Sequence, residues 1–287
     1  MMEMPLVTVI CLCYNHERFV EAAIRSVQNQ TYKNIQLVIV DDASTDNSAN
    51  VIRAVIGSAQ QIEFLALPGN IGNCKAFNRG LARAKGSFII DLAADDILLP
   101  NRIEVGVRTL LEKGGKYGVH FSDAEIMDEY GAHLYNHSER FPHDSIPQGD
   151  IYREIIGRYF ICPPTVMFTK QVADVLGGYD ETLSYEDFDF WIRSSRAFYF
   201  AYSPTVLVQK RVFKGTLGSR QFKIFSPHSS STFHVCEKIL RLNNTPDEQR
   251  ALHKRIVYEI GLNLRLLNLL TAARFFFLMI RNKRKTY

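Results

Sequence analysis

Gly86-Ser87-Phe88-Ile89-Ile90-Asp91-Leu92-Ala93-Ala94-Asp95-Asp96-Ile97-Leu98-Leu99-Pro100 is the stretch that decides the fold. A glycine opens an apolar run too short for a typical helix, which reads as a buried strand. The run ends on two adjacent carboxylates, ahead of a proline able to start a helix. In open α/β sheets ligands bind beyond the carboxyl ends of strands. Acids placed there can hold a hard divalent cation through oxygen, and the cation in turn screens a diphosphate. Aspartate is also a good N-cap, so the pair could serve only the next helix. The surrounding chain has to separate the two readings.

Upstream, residues 6–13 form a β-branched run bounded by Pro5 and Tyr14-Asn15, the pattern of a central parallel strand buried on both faces. Phe19, Val20, Ala23, Ile24 and Val27 then recur at helical spacing within 17–30. A second strand spans 35–40. It runs into Asp41-Asp42-Ala43-Ser44-Thr45-Asp46 before a helix over 47–56. One such residue suffices to cap that helix, and the loop supplies more polar groups than capping needs. A third strand (62–67), a turn at Gly69-Asn70-Ile71-Gly72 and a helix (73–85) lead back to the opening stretch. Strands alternating with helices imply right-handed crossovers, hence an α/β fold with a mostly parallel sheet flanked by helices.

Downstream, a helix is expected from Pro100 to about Glu112, with strands over 117–121, 125–127 and 163–168 and a short helix over 170–176. Residues 135–149 read as a surface loop. His133, His137 and His143 have no regular metal-ligand spacing. Gly177-Gly178 closes the short helix with a left-handed cap. The helix expected over 185–193 carries Asp187 near its start, where the dipole favours an ionised carboxylate suited to a general base or to plain helix stabilisation.

Composition sets the bounds. With 287 residues, 46% hydrophobic and 22% charged, the chain has room for one α/β domain and an appendage, and it is neither disordered nor repetitive. A net charge of +4 does not argue for nucleic acid. The acids gather in Asp41-Asp42, Asp95-Asp96 and Glu186-Asp187, and the cations in 281–285. The five cysteines show no CxxC. Cys11 and Cys13 would lie about 6.5 Å apart on one strand face, too stretched for an easy bridge. Reduced thiols in a cytoplasmic protein are expected, and the first residues lack a signal-peptide pattern.

Taken together, Tyr14-Asn15, the 41–46 loop, Asn70-Ile71-Gly72, Asn78-Arg79-Gly80, Ala94-Asp95-Asp96 and the 177–187 stretch resemble the family 2 glycosyltransferases of the GT-A fold. The resemblance covers residues 7–211. It implies a GT-A domain over 1–212, followed by a mobile loop and a C-terminal helical extension over 213–287. It also implies an inverting enzyme that moves one sugar from a nucleotide-sugar, a UDP-sugar foremost, to a hydroxyl of a growing cell-surface glycan such as O-antigen or capsule. Cys13, Tyr14, Asn15, Glu17, Asp41, Asp42, Asn70, Asn78, Ala94 and Asp95 would then bind the donor, with Asp42 accepting from a uracil N3–H. Asp95 and Asp96 would hold Mn²⁺ or Mg²⁺, and Asp187 would deprotonate the acceptor. Gly178, Tyr179, Glu186 and Trp191 would flank the acceptor.

Three departures qualify the match. Ala93 stands where many members carry an acid, no histidine closely follows Arg211, and the QxxRW element of processive members is missing, which favours single-sugar addition. Two other classes share parts of this pattern. One is a silent nucleotide-sugar-binding protein of the same fold. The other is a nucleotidyltransferase, whose glycine-rich first loop is lacking in Cys13-Tyr14-Asn15-His16-Glu17.

Residues 213–231, rich in Gly, Ser and Lys/Arg, read as a mobile loop, either a lid over the site or a linker. Thr245-Pro246 caps a helix, and 256–280 is densely apolar. Arg265 and Arg274 interrupt it too often for a membrane span. On a single wheel Glu259, Asn263, Arg274 and Arg281 fall within about 60°. Such a stripe suits a helix lying on an anionic membrane, joining a homodimer or packing on its own domain. The membrane case would make a lipid-linked glycan the natural acceptor.

Overall fold

The computed structural model describes residues 4–57, 62–141, 145–213 and 227–285. Its nine-stranded sheet runs β3-β2-β1-β4-β8-β6-β9-β5, with β7 paired to β6. Strands β1 (Val7–Cys13), β2 (Ile35–Asp41), β3 (Ile62–Ala66) and β4 (Phe88–Ala93) are parallel neighbours. They alternate with helices α1 (Val20–Gln28), α2 (Ser48–Ile56) and α3 (Asn73–Leu81), the expected α/β half. Beyond β4 the sheet turns mixed. β8 (Met167–Thr169) runs antiparallel to both β4 and β6 (Tyr117–Met127), and β9 (Tyr199–Arg211) is parallel to β6. β5 (Ile97–Leu98) and β7 (His133–Asn136) are antiparallel edges.

Strand alternation sorts the two faces. Val7, Val9, Cys11 and Cys13 join α1 residues in one core. Ile10 and Leu12 join Phe77 and Ala76 of α3 in the other. This is why β1 reads as a continuous apolar run, since a parallel strand covered on both sides has no polar face. Gly86 precedes β4 because a Cβ there would lie 2.5 Å from the Thr8 amide nitrogen. All five cysteines are free and buried.

Several sequence expectations change. The 163–168 strand is a 3₁₀ turn (Pro163–Thr165) followed by β8, because consecutive prolines withhold the amides a ladder needs. The 135–149 loop begins in β7 and a 3₁₀ turn, His137–Arg140, held by an Asn136/Glu139 capping box. There His137 is buried, its Nε2 lies 3.2 Å from the Phe160 carbonyl, and burial pushes its pKa down to about 4. His133 is exposed and pairs with Glu125, while His143 lies outside the described residues.

After helices α4 (Arg102–Lys113), α5 (Tyr152–Gly157), α6 (Lys170–Leu176) and α7 (Asp187–Ser195), the chain ends in α8 (Pro227–Leu242), α9 (Pro246–Arg265) and α10 (Leu269–Lys285). The mobile-loop expectation over 213–231 therefore fails from Pro227 onward, which is helix, and residues 214–226 lie outside the described residues. Val235, Ile239, Leu252, Ile256, Phe275 and Leu278 share one core with Phe188 and Ile155, so the three helices close the sheet's second face.

The apolar 256–280 run is not one helix. It breaks at Leu266-Leu267-Asn268, where Leu267 takes a left-handed φ of 58° and the Asn268 amide bonds back to the Asn263 carbonyl. Glu259 and Asn263 consequently point inward, Glu259 bonding the buried Arg255 at 2.8 Å. The predicted polar stripe is thus split between a buried network and α10. No helix among the described residues is long and apolar enough to cross a membrane.

Candidate active site

The loops after β1 and β2 are locked to each other by side chains that accept from backbone. Asn15, in the left-handed region at φ 58°, accepts from the Thr45 amide at 2.7 Å, and its own amide donates to Ser44 Oγ at 2.9 Å. Glu17 is held twice: its amide donates to Asp46 (3.0 Å), and its carboxylate accepts from the Asn47 amide (2.8 Å). Asparagine tolerates the left-handed region better than most residues, which suits it to this corner. Asp41 accepts from the Ser44 hydroxyl and amide. Asp42 accepts from the Ile71 amide (2.7 Å) and the Gly72 amide (2.9 Å), tying the second loop to the third. Tyr14 and Asn70 stand exposed on this rim, while Cys13 and Ala94 are buried beneath it.

Asp95 and Asp96 follow β4. The Arg211 amide donates to Asp96 Oδ1 (2.8 Å), and the Arg211 guanidinium donates to the Asp95 carbonyl (3.2 Å) while lying 4.6 Å over Phe19. Burial and the neighbouring Asp95 push the Asp96 carboxyl well above the usual carboxylate range, against Lys210 and Arg211. Asp95 Oδ2 lies 3.9 Å from His16 Nε2, and the buried His16 Nδ1 has no partner among the described residues. Among the described residues no group of three or more His, Cys, Asp or Glu forms a ready metal cage. Two crowded carboxylates whose mutual repulsion a cation would relieve nevertheless match the small donor set Mg²⁺ takes when substrate phosphates complete its shell.

The 177–195 segment forms the facing wall. Gly178 has φ +88°, and a Cβ there would sit 2.5 Å from Asn78 Oδ1. That asparagine, on α3, accepts from the Tyr179 amide (2.9 Å) and donates to the Tyr179 carbonyl (2.9 Å) and Glu181 (3.0 Å). Asn78 thus pins this turn. Tyr179 stacks on Phe77 at 4.0 Å and donates its hydroxyl to Asp91 of β4 at 3.0 Å. Burial, then Glu186, drives the Asp91 carboxyl well above its ordinary range. Glu186 accepts from Asn73 at 2.6 Å, and burial raises its carboxyl. Asp187, half-buried at the first position of α7, is pushed well up by burial and by Glu186, with Lys210 opposing. Trp191 is buried against Tyr159, which gives it a packing role in place of the expected acceptor contact.

Lys210 of β9, which the sequence reading overlooked, relates the two walls. Burial disfavours its ammonium while Cys162, Asp96, Asp187 and Asp95 favour it, and the adjacent Arg211 amide bonds Asp96 directly. The available signal was a lysine at the end of an apolar run beside Arg211, ahead of a loop rich in polar residues. Asp91 and Asn73 were likewise passed over, because an acid inside an apolar strand and an asparagine opening a helix have ordinary structural uses.

The fold is shared with solved glycosyltransferases. A mannosyltransferase from Pyrobaculum calidifontis, in complex with GDP-Man and Mn²⁺, superposes with a TM-score of 0.70 at 17% identity over 96% of this chain and 74% of that one. TarS 1-349 of S. aureus, in complex with UDP-GlcNAc, gives 0.65 at 15% identity over 98% and 90%. By sequence, an uncharacterized glycosyltransferase of Haemophilus influenzae is 35% identical over 111 residues, 39% of this chain and 44% of that protein. The chain spans 44%, 64% and 64% of the lengths of three curated relatives that it matches. The profile described as Glycosyl transferase family 2 matches residues 8–174, more than half of the sequence, and the chain therefore belongs to glycosyl transferase family 2.

Proposed function

We propose that this chain is an inverting, metal-dependent glycosyltransferase that passes one sugar from a nucleotide-sugar to a hydroxyl of a growing cell-surface glycan, including a lipid-linked one. The observation that carries the reading is that Asn73, next to the Gly72 amide held by Asp42, donates to Glu186 beside Asp187 at 2.6 Å, while Tyr179 of the same wall bonds Asp91 of β4 at 3.0 Å. Acids from distant parts of the chain thereby border one space. In this reading the nucleoside rests on the rim formed by Tyr14, Asn15 and Asp42. Each Asp42 oxygen, already holding one backbone amide, keeps a second acceptor site for a base N–H such as that of uracil or guanine. UDP-sugars are the first donors to try, with GDP-sugars next.

Asp95 and Asp96 would hold the divalent cation, Mn²⁺ or Mg²⁺, which when bound neutralises charge on the departing diphosphate. Asp187 accepts the proton of the attacking hydroxyl. Its elevated proton affinity strengthens it as a base. Lys210 balances the negative charge between the two sets, and Tyr179 with Gly178 borders the acceptor. The experiment is to incubate Asp187→Asn with UDP- and GDP-sugars, Mn²⁺ and a glycan acceptor. Loss of transfer with donor binding retained supports the assignment. Loss of donor binding in a folded variant, or nucleotide-sugar binding without any turnover by the natural chain, refutes it.

A further inference from the structure

Helix α10 has two apolar faces. One, through Ala272, Phe275 and Leu278, is buried in the shared core. On the other, Leu269, Leu270, Ala273, Phe276, Phe277 and Ile280 are all exposed, Leu270 at 85% and Phe277 at 65%. At about 100° per residue these six fall within an arc of about 120°. Arg274 and Arg281 lie just beyond one edge of the arc, Arg281 also pairing with Glu237 of α8 at 3.2 Å, and Lys283 lies just beyond the other, while α10 itself contains no acidic residue. The face continues over the hairpin tip through Leu267, 64% exposed, and Leu264, beside exposed Arg265. Bulky apolar side chains in water between rows of cations are more than a solvated surface requires.

We propose that this face of α10 and the hairpin tip dock on an anionic lipid surface. The leucines and phenylalanines enter the headgroup boundary, and the flanking arginines and lysine meet lipid phosphates. Charge decides between this occupant and a second copy of the chain. Two-fold pairing of α10 would bring cationic rows together, whereas an anionic bilayer complements them. The face also lies close to the candidate site. Arg274 covers the Phe233 ring at 4.1 Å and reaches Ser230 at 3.5 Å, and the adjacent Ser231 bonds both the amide and the hydroxyl of Ser184, three residues before Asp187. The docking deepens the function proposed above and rests on it for one point, that the lipid surface presents the acceptor.

The test is flotation of the full chain with phosphatidylcholine vesicles, with and without phosphatidylglycerol. Binding is expected only with phosphatidylglycerol, weakening as salt rises. It should fall at least about tenfold in Leu270→Ser/Phe277→Ser and, independently, in the charge reversal Arg274→Glu/Arg281→Glu, both checked for native circular dichroism. Absence of binding, or equal binding by the folded variants, overturns the proposal. So does concentration-dependent self-association that Leu270→Ser/Phe277→Ser abolishes in a protein indifferent to vesicles, which assigns the face to a second copy. Thermal shift with nucleotide-sugars separates the two proposals. Lost vesicle binding with donor binding intact removes the docking alone, and the reverse removes the glycosyltransferase reading alone.

Discussion

Within 177–195 the chain carries two sets of acids that are treated in opposite ways. Asp180 and Asp189 are neutralised: Lys238 of α8 donates to both at 2.5 Å, and Arg193 donates to Asp189 at 2.6 Å and to the Leu176 and Gly178 carbonyls at 2.9 Å. Against burial, hydrogen bonds from Lys238 and Thr182 hold Asp180 down to about 2. Glu186 accepts from Asn73, no ion pair with a lysine or arginine is formed by Glu186 or Asp187 among the described residues, and both carboxyls are raised. A fold that brings one lysine to two acids a few residues away has the means to quench this pair as well. The contrast separates acids that hold the wall in place from a pair whose carboxyls are raised, the kind of group commonly found at sites of chemistry.

The strongest way to break the contrast is Asp187→Asn, expected to lower transfer on the order of 10³-fold with donor affinity unchanged, read by acceptor glycosylation and donor titration. Lys238→Met comes next. Leaving Asp180 and Asp189 uncompensated should cost about 3 kcal/mol, measured by chemical denaturation near neutral pH. Asp180 is depressed in the fold, so its contribution is present above its unfolded value and fades as pH falls towards about 2, and the variant's deficit should fade over that window.

Asp187 has the opposite sign. Its folded affinity for protons exceeds the unfolded one, so it subtracts stability as pH rises past the ordinary carboxylate value. Asp187→Asn should therefore raise the melting temperature at neutral pH, with the gain vanishing in acid. A variant both inactive and no more stable would place the strain elsewhere. The smallest expected effect is for Lys210→Met. Removing the cation should move the acid limb of the pH–rate profile up by about one unit, because Asp187 then holds its proton more tightly.

Much of this arrangement was legible in the chain. The alternation of apolar strands with amphipathic helices gave the parallel half, and the carboxylates at the ends of β2 and β4 marked the rim. Where the reading stopped, a long-range partner was responsible. Nothing local to Asn15 or Glu17 says that their side chains bind the backbone of the neighbouring loop, and Asn78 looks like a solvated helix residue until the 177–181 turn arrives against it. Lys210 acquires meaning only once β9 lies beside β6 with both acid sets in view. The C-terminal wheel failed for a different reason. It assumed one continuous helix, and a left-handed leucine at 267 reset the phase, leaving Glu259 and Asn263 inward, Arg274 and Arg281 outward, and an apolar arc exposed.

Helix α3 is anchored at its start and beyond its middle. Asp42 grips the two amides just before it, and Asn78, about one and a half turns along, grips Tyr179. The nine-residue helix is about 13 Å long and serves as a ruler between the loop after β2 and the wall bearing Asp187. Lengthening it by a single residue would swing Asn78 by about 100° and release the turn at Gly178, so the separation of the two walls is written into the count of residues in one short helix.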